Sequence, residues 1–336
     1  MLGAAPSTVA PEGRLTVHFY DVGQGLAALV DLPTGGHVLV DAGDQARRPG
    51  CGGSCQAASE HLVAGLREDL RGAPVDLVWI THLHSDHIGG VEAVLDAVPV
   101  RAYVDNGRDG LHAEAASVRR ARRAARDHGA VVGVIAPGNV DLLSATRGVD
   151  VAVLAGVTLT PIVPERWPSS CATDANECSI ALRIDFGSSS VLLTGDAEHQ
   201  EESMLDPHGS VTLLQVGHHG SDTSTSPGFL SKVRPRYAVI SAGAPGEGLN
   251  REYCHPRAIV VRRLTRVLGG PASSTLQAFD GDRCDRATAA DWLAVPSSDA
   301  LWATERDGDV VLTTTGDGTF QRQTGPARSS RRLPVR

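Results

Sequence analysis

The chain has almost no lysine: Lys232 is the only one among 31 basic residues. Arginine carries the basic character through a coding bias, so a run of arginines is weak evidence for a phosphate-binding surface. An excess of positive charge is also lacking. The formal net charge is −8, whereas a nucleic-acid binder usually shows a basic surface, and only a local patch is left open. No apolar run approaches the ~18 residues of a membrane helix, so no membrane span is expected. Met1–Pro6 has neither the basic nor the apolar segment of a signal peptide. No cysteine spacing matches a four-cysteine zinc site. There is no internal repeat and no linker long enough to divide domains. What remains is 336 residues at 41% hydrophobic content, enough for one large core or two modest ones.

The six cysteines are Cys51, Cys55, Cys171, Cys178, Cys254 and Cys284. Cys51/Cys55 and Cys171/Cys178 are close enough to close small loops in an oxidising compartment, which would leave Cys254/Cys284 over. A secreted or envelope-exposed protein is one reading. A cytoplasmic one with unpaired thiols is the other.

Residues 1–13 are small and proline-containing and read as a loose segment, 14–320 as one domain, and 321–336 as a basic polar tail. Strands are expected over 15–20, 26–32 and 37–40, forming a meander through a Pro-Thr-Gly-Gly turn. A helix over 57–70 repeats leucine every four residues. A buried strand over 75–80 and a helix from Val91 follow, then a short strand at 102–104. Residues 111–128 form a helix whose Arg119, Arg122, Arg123 and Arg126 share a face. That face is a phosphate-binding stripe or simply a solvated one. Further strands are expected at 131–135 and at 150–163, parted at Gly156, and a hairpin over 179–193. A strand at 211–216 and another at 237–240 precede a helix over 256–268 with Ile259, Val260, Leu264 and Val267 on one side. A closing hairpin spans 301–315. Alternating strands and helices in two halves suit two sheets packed face to face with helices outside.

Thr81-His82-Leu83-His84-Ser85-Asp86-His87 falls between the 75–80 strand and the following helix. Three imidazoles and a carboxylate at this density in one turn suit Zn²⁺, Fe²⁺ or Mn²⁺. A metal supplies a hydrolase with a nucleophile by lowering the pKa of bound water to ~7.

This stretch resembles the signature of the metallo-β-lactamase fold superfamily. Asp21-Val22-Gly23-Gln24-Gly25, Leu39-Val40-Asp41-Ala42-Gly43, Leu192-Leu193-Thr194-Gly195-Asp196, Val216-Gly217-His218-His219-Gly220-Ser221 and Cys254-His255-Pro256 follow in the family's order. The first and the last two resemble the branch related to the ComEC/Rec2-type hydrolase domain. Leu26 stands where relatives carry an aspartate. The resemblance implies an α/β protein with a four-layer αββα sandwich and two divalent metal ions, Zn²⁺ or Mn²⁺, at its edge. It places His82 and His84 on the first metal, Asp86 and His87 on the second, and Asp196 between them. His219 closes the second site. His218 touches substrate, and His255 touches substrate or acts as general acid. Asn176, from an Asn-x-x-Ser pattern, faces the first metal or caps a loop. The implied activity is phosphodiester hydrolysis by a hydroxide shared between two metals, with Asp86, His218 and His255 in the reacting region. The substrate would be a nucleic-acid or small-molecule phosphoester; no protein partner is identifiable. A lactonase or β-lactamase-like hydrolase and a non-catalytic metal-binding scaffold are the alternatives.

Overall fold

The structure, a computed structural model, describes residues 13–109, 114–146 and 156–323. The expected loose start, the strand ahead of Gly156 and most of the polar tail lie outside the described residues.

The first half contributes β1 (Leu15–Phe19), β2 (Ala28–Asp31), β3 (His37–Val40), β4 (Val75–Trp79), β5 (Val100–Asp105) and β6 (Val131–Val134). The opening three form the expected antiparallel meander, and β3 to β6 run parallel. The second half contributes β7 (Thr158–Ile162), β8 (Ala181–Phe186), β9 (Ser189–Leu193), β10 (Leu213–Gln215) and β11 (Tyr237–Ile240). It continues with β12 (Ser274–Phe279), β13 (Trp292–Ser297), β14 (Leu301–Ala303), β15 (Val310–Thr314) and β16 (Gln321–Arg322). One sheet has the order β16-β15-β1-β2-β3-β4-β5-β6, the other β14-β11-β10-β9-β8-β7, and β12 pairs only with β13.

Side chains alternate across each strand, and the alternation builds the layers. Leu77 and Trp79 of β4 enter a core between the two large sheets, together with Val17, Phe19, Val191, Leu193, Leu213 and Val239. Val78 and, just beyond the strand, Ile80 face the other way, onto helices α1 (Ser54–Leu70), α3 (Val91–Ala97) and α4 (Glu114–Asp127). On the second sheet Leu192, Leu214 and Ile240 pack outward against the helices Pro227–Val233 and Ala258–Leu268. The result is helices, sheet, sheet, helices, as the two-sided patterning implied. Trp79 ties the sheets directly: its indole Nε1 donates to the Ile180 carbonyl at 2.8 Å.

Several expectations need correction. Residues 301–315 are not a hairpin. β14 pairs parallel with β11 in one sheet, β15 pairs antiparallel with β1 in the other, and the turn of helix Thr304–Asp307 carries the chain across. The helix Ala258–Leu268 buries Ala258, Val260, Val261 and Leu264, while Ile259 and Val267 are exposed at 54% and 42%. Its run of consecutive apolar residues fits two overlapping faces, and packing selects one. Arg122 is not part of a solvated stripe: its guanidinium grips Asp105 at 2.7 and 2.9 Å. Leu26, where relatives carry an aspartate, is fully buried and packs in the core between the sheets. The β12/β13 pair had no forecast, and the main sheet takes in Gln321 and Arg322 of the expected tail.

All six cysteines are bonded, Cys51 to Cys55, Cys171 to Cys178 and Cys254 to Cys284. The third pair is the one that adjacency in sequence could not suggest, being 30 residues apart. Among the described residues no helix is long and apolar enough to cross a membrane.

Candidate metal centre

The centre lies at the C-terminal ends of β3, β4 and β9. After β4 the chain stays extended, and Leu83 turns outward into the helix-facing core. Its neighbours His82 and His84 therefore turn to the opposite side. A single turn of helix α2 (Ser85–Ile88) then presents Asp86 and His87. Gly195 (φ 59°) turns the chain after β9 and sits directly on Thr81, where a Cβ would lie 2.4 Å from the hydroxyl; no other residue fits there. That turn delivers Asp196.

The two late histidines do not sit in a strand. β10 ends at Gln215, and His218 and His219 both adopt left-handed backbone (φ 49° and 54°) in a tight turn. The expected opposition of neighbours in a strand becomes a divergence within a turn. His219 enters the centre, buried; His218 turns toward Asn176 and Glu198.

Around one carboxylate oxygen, Asp196 Oδ2, stand His87 Nε2 at 3.1 Å, His219 Nε2 at 3.3 Å and His82 Nε2 at 3.9 Å. Asp86 Oδ2 lies 3.3 Å from His219 Nε2, and His84 Nδ1 lies 3.2 Å from His82 Nε2. His82, His87 and Asp196 form one group with metal-ligand spacing, and Asp86, His87 and His219 form a second. The two groups share His87, and His84 stands beside the first through His82.

The donor set fits divalent metals. His87 Nδ1 is held by Asp41 Oδ2 at 2.7 Å and His219 Nδ1 by the Ser241 carbonyl at 2.8 Å. Each Nδ1 therefore carries a proton, and each Nε2 turns its lone pair into the centre. Those two Nε2 atoms are only 3.2 Å apart, an arrangement that needs a cation between them. Asp196 Oδ1 is buried with no hydrogen-bond partner among the described residues. Buried carboxylate oxygens are rarely left so unless an ion or ligand satisfies them.

The charges agree. Burial alone would push the His219 imidazole down, but the Asp196 and Asp86 carboxylates reverse this and hold it up at about 9. Burial likewise opposes protonation of His87, and Asp196 and Asp41 raise it well above its ordinary value. For Asp196 burial is outweighed by His219 and His87, which hold it well below the usual carboxylate range. Protons on His87 and His219 offset the carboxylate charge wherever no cation is bound.

Asp41 is the chief residue that sequence reasoning missed. Fully buried, it accepts from Thr81 N at 2.8 Å and Thr81 Oγ1 at 2.7 Å as well as facing His87. Thr81 Oγ1 in turn lies 3.2 Å from His82 Nδ1. One carboxylate thus sets the orientation of histidines on both sides of the centre, the outer support that metal-ligating histidines characteristically receive. Glu198 was also missed: its Oε1 lies 3.0 Å from His218 Nδ1. The Gly-Asp-Ala-Glu run that contains it was the available signal.

Asn176 sits in a short turn, buried, its Nδ2 3.4 Å from His218 Nε2 and from Glu198 Oε1, with no hydrogen-bond partner for its Oδ1 among the described residues. The structure thus groups it with His218. His255, nearly buried, lies edge-on to His218 at 5.3 Å between ring centroids. Burial, then His218 and His219, push its imidazole well below its ordinary value. It is neutral at pH 7, unlike the proton-carrying acid that one expectation assigned to it.

The model of the metallo-beta-lactamase superfamily matches residues 20–244, which contain every one of the histidine and aspartate positions above except His255. The chain belongs to this superfamily. Among characterised relatives it is 34% identical over 224 residues to Recombination protein 2 of Haemophilus influenzae, covering 66% of this chain and 24% of the relative. It is 29% identical over 285 residues to ComE operon protein 3 of Bacillus subtilis, covering 78% and 32%. The chain therefore spans a third or less of the length of these relatives. Among solved structures it is similar to the metallo-beta-lactamase fold protein YhfI of Bacillus subtilis, with a TM-score of 0.42 at 14% identity over 67% of this chain and 85% of that one.

Proposed function

We propose that the protein is a phosphodiesterase that uses two divalent metals and acts on a nucleic-acid or small-molecule phosphoester. The observation that carries this is the gathering of His82, His87 and His219 around one oxygen of Asp196, with Asp86 and His84 at the flanks. His82, His84 and Asp196 would hold the first metal, and Asp86, His87, His219 and Asp196 the second. When bound, such a pair supplies a nucleophilic hydroxide at neutral pH and polarises the phosphoryl oxygen.

The chain's own residues do the rest. Glu198 holds the His218 ring through Nδ1, with Nε2 beside the Asn176 amide, which places this side chain at the wall beside the centre. Asn176 Oδ1, buried and without a partner among the described residues, is available as a neutral oxygen ligand or as an acceptor for a substrate hydroxyl. His255, neutral, serves as a hydrogen-bond partner at the same wall. The name of one relative, Recombination protein 2, favours DNA among possible phosphoesters. Three bonded cysteine pairs favour action in an oxidising compartment, secreted or at the cell envelope.

The test is turnover by protein loaded with Zn²⁺ or Mn²⁺. Bis-p-nitrophenyl phosphate, linear DNA and single-stranded DNA should be cleaved, and activity should vanish with chelator. Cleavage of a lactam alone would assign a different hydrolase. Full metal content with no turnover on any of them would leave a scaffold.

A further inference from the structure

Beside the first-metal histidines lies a cavity of about 410 Å³ lined by Leu83, Asn106, Arg108, Ala175 and the Cys171–Cys178 disulfide. Leu83 lies between His82 and His84 in the chain, and Ala175 precedes Asn176, so two of the lining residues are chain neighbours of residues placed at the centre. Its volume falls within the roughly 300–1,000 Å³ of small-molecule sites.

Three sets of contacts build it. The Arg108 guanidinium donates to the Cys171 carbonyl at 3.3 Å, and the Asn106 amide donates to the Cys178 carbonyl at 2.8 Å. The disulfide loop is thus pinned from the opposite wall. Arg108 is itself held from behind: its N–H donates to Asn106 Oδ1 at 3.2 Å, and its carbonyl accepts from Arg122 at 2.6 Å. The same Arg122 engages Asp105 and lies 3.7 Å from Asp109, the acidic residue at the rim. Among the described residues Arg108 has no carboxylate partner. A guanidinium carries five N–H donors, and the Cys171 carbonyl engages one of its nitrogens. Arg108 lines the cavity, and its other guanidinium nitrogens are available to an anion there.

We propose that this cavity seats a second phosphate of the substrate, one linkage from the scissile bond, and that Arg108 is its cation. The inference rests on the phosphodiesterase reading for its substrate class. It makes the enzyme one that prefers a chain of at least two phosphates to an isolated diester.

The experiment compares metal-loaded wild type with Arg108→Ala on a thymidine dinucleotide, with and without a terminal phosphate at either end. Wild type should favour one of the phosphorylated forms by about tenfold in kcat/KM, chiefly through KM. In Arg108→Ala that preference should fall to near one, with metal content retained, and Arg108→Lys should keep part of it, since lysine pairs with phosphate as a point charge. No preference in wild type, or an equal preference in Arg108→Ala, overturns the proposal. Calorimetric binding of thymidine 3′,5′-bisphosphate separates it from the activity. If wild type cleaves nothing but binds this probe at least several-fold more tightly than Arg108→Ala, the phosphodiesterase reading fails and the phosphate seat stands. Equal binding by the two proteins removes the seat whatever the activity.

Discussion

Replacing Asp41 by asparagine should disable the metal centre without touching a ligand. The substitution is gentle on the backbone: Asp41 has φ 57°, a left-handed conformation that asparagine tolerates and alanine does not. The damage is in the hydrogen bonds. Asp41 Oδ1 accepts from Thr81 N, while Oδ2 serves both Thr81 Oγ1 and His87 Nδ1. An amide has only one oxygen. If that oxygen stays on Thr81 N, the NH₂ faces His87 Nδ1, which must then accept. The imidazole proton moves to Nε2, 3.1 Å from Asp196, where a metal should sit. If the amide flips, two buried N–H donors face each other at Thr81, at a cost of about 1–3 kcal/mol. Either route predicts a loss of about 10–100-fold in metal affinity, the usual effect of removing an outer-sphere partner of a histidine ligand. Competition with a chromophoric chelator would measure it, with circular dichroism to confirm the fold. Unchanged affinity for both metals in a folded Asp41→Asn protein would refute the support role of Asp41 and the His87 tautomer inferred from it.

Other outcomes follow from the same contacts. Because metal must displace protons from His219 and His87, affinity should rise with pH toward about 9, and binding at pH 7 should release protons measurable in a weakly buffered titration. His219 is raised above its unfolded value of 6.5, so its contribution to the metal-free protein is complete below about 6.5 and lost as pH passes 9. Metal-free protein should therefore melt earlier at pH 9.5 than at pH 7, and metal-loaded protein should not share that decline; parallel declines in differential scanning fluorimetry would contradict this. Trp79→Phe should destabilise the fold by about 2–4 kcal/mol, since it opens space between the sheets and leaves the Ile180 carbonyl without its donor; a change under 0.5 kcal/mol in chemical denaturation would refute the inter-sheet tie. Unfolded, unreduced protein made in an oxidising compartment should show no reactive thiol, and two per chain would mean that one of the three bonds does not form in solution.

Much of the centre was legible because it is local. His82, His84, Asp86 and His87 lie within six consecutive residues between a strand and a helix, and spacing alone set them on one side. Asp196 and His219 were legible only through family resemblance, because Gly195 and the left-handed turn at His218 bring them in from other strands. Asp41 was not legible as an orienting group. Its partner His87 is 46 residues away, and nothing in an Asp-Ala-Gly turn names the ring it will meet. Glu198 was hidden for the same reason, its partner lying across the sheet edge at His218. In the fold, the failures come where one pattern fits two structures. Leu301–Ala303 and Val310–Thr314 alternate as a hairpin would, yet the open edges of two different sheets claim them. Ile259-Val260-Val261 satisfies either helix face, and only the packed layer decides. Strand β13 carries exposed residues on both faces, Leu293 on one and Ala294 and Pro296 on the other, so no clean alternation marked it.

The central claim is that Asp196 unites two metals in one hydrolytic centre. The most direct measurement is a titration of metal-free protein with Zn²⁺ or Mn²⁺, following bound metal and cleavage of bis-p-nitrophenyl phosphate together in wild type and Asp196→Ala. The account predicts that wild-type activity climbs until two ions are bound per chain, and that the variant stays folded, loses at least one ion and shows no turnover. Activity that saturates with one ion in wild type, or wild-type turnover in the variant, would contradict it.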